Sequence, residues 1–86
     1  MILEDEVKKY LWLEKTLTRR VKLKRIDYDL SKYRLGYFEK EKENAMLDLE
    51  RQITTDLANE KTNLEDQLKS IIIKRKELEE KLEKKK

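Results

Sequence analysis

From Leu57 to the C-terminal lysines the apolar residues keep a seven-residue rhythm. Leu57, Leu64, Ile71 and Leu78 form one column, and Leu68 and Leu82 occupy the next. These are the d and a columns of a helix that lays one stripe against another helix. Thr54, Lys61 and Arg75 share the a column. A polar residue there lowers stability but fixes register, and Lys and Arg stems are also long enough to reach out of a seam. Upstream, Met46, Leu49 and Ile53 carry the stripe on, with a slip of one residue before Leu57. The triplet Ile71-Ile72-Ile73 is wider than one stripe and suits a broader bundle core.

The first third of the chain is apolar on two sides. At about 100° per residue, Leu3, Val7, Tyr10, Leu17, Val21, Tyr28 and Leu35 share one face. Trp12, Leu23, Ile26, Leu30, Tyr33 and Tyr37 gather on the opposite one. A helix with two apolar faces packs between two neighbours. A lone two-helix hairpin would leave the second stripe wet.

Turn signals are scarce, because the chain has no proline and a single glycine, Gly36. Lys32 and Arg34 precede that glycine, where cations suit a helix C-terminus, and glycine suits the left-handed position just beyond. The pattern therefore predicts an all-α chain, one elongated domain over 1–86. A helix over about 3–35, a turn near Gly36 and a helix over about 38–84 form a long hairpin. An extended coiled coil, one unbroken helix of roughly 120–130 Å, is the alternative. Either shape is expected to assemble into a multi-helix bundle. With a turn at Gly36 the helices would be roughly 50 Å and 70 Å long. Residues from Ile71 onward, Ile71, Ile72, Ile73, Leu78 and Leu82, would then overhang without an intramolecular partner. The heptad stripe of Leu57, Leu64, Leu68, Ile71, Leu78 and Leu82 is the expected oligomer interface, with a dimer the default.

Composition sharpens this picture. Charged residues make up 48% of the chain and apolar ones 37%, which suits long half-wet helices better than a compact globule. The absence of cysteine and histidine excludes disulfides and thiolate or imidazole metal sites. No apolar run approaches the roughly 20 residues of a membrane span. The acidic start Met1-Ile2-Leu3-Glu4-Asp5-Glu6 lacks the features of a secretory signal. The expected compartment is the cytoplasm, with no membrane partner.

Catalysis is not expected. The hydroxyls of Thr16, Thr18, Ser31, Thr54, Thr55, Thr62 and Ser70 are scattered with no base to activate them. One glycine cannot build a phosphate loop, and no cofactor or small-molecule substrate is implied. Charge is more suggestive. Eight basic residues between Lys15 and Arg34 stand against Asp27 and Asp29, a net +6, while the whole chain is +3, so the remainder is −3. Arg19, Arg20, Lys22, Lys24 and Arg25 could meet nucleic acid, with Trp12, Tyr28 and Tyr33 near enough to stack on bases. They could equally meet the acidic remainder, within the molecule or between copies.

No motif names a family. The chain reads as a non-enzymatic coiled-coil protein that self-associates and binds another protein as an adaptor, assembly or regulatory factor. A nucleic-acid-binding accessory protein and a structural spacer are the alternatives.

Overall fold

A computed structural model describes residues 2–84 as two antiparallel helices, α1 (Ile2–Lys40) and α2 (Asn44–Lys84). They form a hairpin rod of 65 × 14 × 14 Å. Met1, Lys85 and Lys86 lie outside the described residues.

The turn falls at Glu41–Glu43, beyond Gly36, which sits inside α1. The reason lies in the backbone hydrogen bonds. The N–H of Glu43 donates to the Phe38 carbonyl at 3.0 Å and that of Lys42 to the Glu39 carbonyl at 3.3 Å. This is the paired bond pattern of a Schellman end, and Lys42 takes its left-handed position with φ 57°. Glu43 then serves as the first half-turn of α2, its carbonyl accepting from Leu47 N–H at 2.8 Å. Lysine tolerates this geometry at a cost of about 1 kcal/mol.

The single glycine thus occupies a position that does not require it, and a residue with a side chain occupies the one that favours glycine. A Cβ on Gly36 would meet nothing within 4 Å. Gly36→Ala is expected to raise stability by about 0.5–1 kcal/mol, and Lys42→Gly by about 1 kcal/mol. Chemical denaturation of the two variants checks both; a fall for either would refute the assigned turn.

Moving the turn equalises the helices at 39 and 41 residues, so α2 has no overhang. Leu78 is buried, and Leu57, Leu64, Leu68, Ile71 and Leu82 are half-buried along the seam with α1. The residues expected to form an oligomer interface are therefore the hairpin's own core. They are joined by Val7, Leu17, Val21 and Leu47, all buried. The stripe also runs through α2 without a slip. Glu50 and Thr54 occupy the seam, whereas Met46, Leu49 and Ile53 lie beside it and are exposed. An apolar reading misses this, because two polar residues hold the seam positions.

Those polar residues set the register. Ser31, completely buried, donates to Glu50 Oε2 at 2.7 Å, and its hydroxyl lies 2.5 Å from Thr54 Oγ1. Arg34 Nε donates to Glu50 Oε1 at 2.5 Å. Stepping outward in heptads from the Ser31–Thr54 contact sets Val21 level with Leu64, Leu17 with Leu68 and Val7 with Leu78. Further along, Arg75 Nε donates to Glu14 at 2.6 Å and its Nη1 to Glu79 at 3.0 Å. Glu79 and then Glu14 hold the Arg75 guanidinium above its usual range. Lys61 caps the Tyr28 ring, 4.7 Å from its centroid. Each polar residue of the a column thus finds a partner on α1, and sliding one helix by a turn would break all three contacts at once.

Candidate interaction surface

The opposite side of α1 presents a second heptad stripe. Steps of four and three lead through Trp12, Thr16, Arg19, Leu23, Ile26, Leu30, Tyr33 and Tyr37. The seam residues Val21, Tyr28 and Leu35 alternate with these positions on the far side of the same turns. Five consecutive members, Leu23 to Tyr37, are apolar or aromatic. The six large side chains of the stripe range from 51% exposed at Leu30 to 78% at Tyr33. The face named from the sequence is therefore present as one continuous ridge, and α2 does not cover it.

The ridge is exposed for a topological reason. The Ser31 and Val21 columns already turn inward to α2, and a helix can present only one face to one neighbour. A two-helix hairpin has no third element to lay on the back of α1. At the turn end Met46, Leu49 and Ile53 of α2 are exposed as well. By contrast, the corresponding back positions of α2 carry Asp56, Asn59, Asn63, Asp66, Glu77 and Glu80, and only Leu49 and Ile73 are apolar there. The apolar back belongs to α1.

The basic segment divides. Lys24 forms an ion pair with Glu60, Arg25 with Glu65 at 3.0 Å, and Arg34 with Glu50 at 2.5 Å. The bond from Glu60 raises the Lys24 ammonium pKa. Three of the eight cations thus face the acidic residues of α2, inside the molecule. Of the five residues considered for nucleic acid, Lys24 and Arg25 are engaged in this way, and Arg19, Arg20 and Lys22 remain exposed around the apolar ridge. Trp12 and Tyr33 lie on the ridge, while Tyr28 is half-buried on the seam side under Lys61. Trp12 shares one shallow concavity with Lys15, Thr16 and Arg19, whereas Tyr28 and Tyr33 lie apart from it.

The concavities are open flanks of the rod. One lies between the helices, bordered by Arg20, Leu23 and Asp27 of α1 and by Glu60 and Leu64 of α2. Among the described residues no cluster of acidic side chains is placed to hold a metal ion, and no helix is long and apolar enough to cross a membrane. What this surface can do is cover apolar area along a helix and select its partner by the charges on either side. No family model, curated protein or solved structure matches the chain.

Proposed function

We propose that this chain is a non-enzymatic helical hairpin that works by binding protein across the back of α1, first of all a further copy of itself. It would serve as an adaptor, assembly or regulatory subunit. The observation that carries the reading is the uncovered heptad from Leu23 to Tyr37. A large apolar side chain gains roughly 1.5–3 kcal/mol on full burial, and the six of the ridge are more than half in water. Contiguous apolar surface of this kind marks protein-binding sites. A spacer of fixed length would need the seam alone and has no use for the ridge.

The internal seam and the ridge are separable, so the test is direct. Ile26→Asp with Leu30→Asp should leave the circular dichroism spectrum of a helical hairpin and reduce the mass measured by sedimentation equilibrium to that of one chain. Retention of the wild-type assembly by that variant would remove the ridge from the interface.

A further inference from the structure

We infer that the ridge is covered by the same ridge of a second copy, running antiparallel, with the two-fold axis crossing α1 between Leu23 and Ile26. The inference rests on the self-association proposed above and adds its geometry.

Two members of the stripe are polar, Thr16 and Arg19. In a parallel, in-register pair each would meet its own copy, setting Arg19 against Arg19 in the centre of the contact. In an antiparallel pair centred between Leu23 and Ile26, every layer changes character. Leu23 comes level with the second copy's Ile26, Arg19 with its Leu30, Thr16 with its Tyr33 and Trp12 with its Tyr37. Each polar position is then covered by a large side chain, and the arginine stem can lie on leucine while its head reaches solvent. The contact uses the whole ridge, about 38 Å of helix at 1.5 Å per residue.

Charge selects the same register independently. Asp27 and Asp29 are the two acids within the basic segment, and they sit on either side of the stripe. In this register both come level with Arg19, Arg20 and Lys22 of the second copy. Lys22 and Asp29 in particular fall on the same flank and face each other across the axis, twice by symmetry. Moving the centre half a heptad toward the turn sets Asp27 and Asp29 against their own copies. Moving it half a heptad the other way leaves Tyr33 over Lys9 and Tyr37 over Asp5. One register therefore satisfies the apolar layers and the flanking charges together. The four helices then lie in the order α2, α1, α1, α2, each copy keeping its seam intact.

The absence of cysteine makes the test clean. Trp12→Cys and Tyr37→Cys are made singly, one carrying a mass tag, and oxidised alone and as a mixture. The antiparallel register predicts a disulfide between the two variants in the mixture and none within either alone. Asp29→Lys should weaken the dimer several-fold, and adding Lys22→Asp to the same chain should restore it. Efficient cross-linking of Trp12→Cys to itself would establish a parallel pair and overturn the register while leaving self-association standing. A monomeric wild type at tens of micromolar by sedimentation equilibrium would overturn both, and would give the ridge to a different protein.

Discussion

Leu78→Asp is expected to unfold the hairpin outright. Leu78 is 6% exposed and lies level with Val7, at 9%, so a carboxylate there is taken out of water against an apolar partner. The substitution forfeits roughly 1.5–3 kcal/mol of leucine burial and adds a desolvation cost of several kcal/mol. A domain of this size has only about 5–10 kcal/mol in hand, so the helical signal should collapse at room temperature. Because assembly needs a formed α1, association should be lost with it. Ile73→Asp is the matching control: Ile73 is 58% exposed, and that variant should stay folded and assembled. The order of events separates the two stripes. Seam substitutions remove helix and mass together, whereas ridge substitutions remove mass and leave helix. A folded Leu78→Asp protein would show that the seam runs elsewhere.

Much of this architecture was legible in the residues. The heptads of α2 and the two faces of α1 follow from spacing alone, and they predicted an all-α hairpin with a second, unpartnered stripe. Two features were not legible, for related reasons. The turn lies at Lys42 because a Schellman end closes there, and its left-handed residue is a lysine. A search for glycine points to Gly36, six residues too early. That placement shortened α1 and gave α2 a false overhang from Ile71 onward. The second hidden feature is the polar stretch of the seam. Glu50 and Ser31 carry no apolar signal, yet they are among the best-covered residues in the molecule. A hint existed in the pattern, since Thr54, Lys61 and Arg75 already marked polar positions in the a column. Matching each to a polar or aromatic residue on α1 — Ser31, Tyr28 and Glu14 — would have placed the turn near residue 42 without any glycine.

That polar stretch is also where a single substitution should reshape the response to pH. Glu50 is 5% exposed and receives hydrogen bonds from Arg34 and Ser31, and these two bonds, the Arg34 bond first, hold its carboxyl below the usual value of 4.5. A carboxylate whose native pKa is depressed stabilises the fold above its unfolded value. That contribution is lost as pH falls through the lower native value. Acid should therefore loosen the hairpin, beginning below about pH 4.5 and continuing beneath it. Glu50→Ala removes the acceptor of both donors and should cost about 2–3 kcal/mol at neutral pH, Arg34 being partly solvated and so recovering some water. Glu50→Gln keeps the shape and part of the bonding; it should cost less and flatten the acid limb of the stability curve. Replacing the whole cluster with Ser31→Ala, Glu50→Leu and Thr54→Val should recover the loss, because no buried polar group is then left without a partner. Urea titrations between pH 3 and pH 7 read all three outcomes. If Glu50→Gln follows the wild-type pH dependence throughout, the acid response belongs to other carboxylates, and the depressed Glu50 is not what stabilises the turn end of the hairpin.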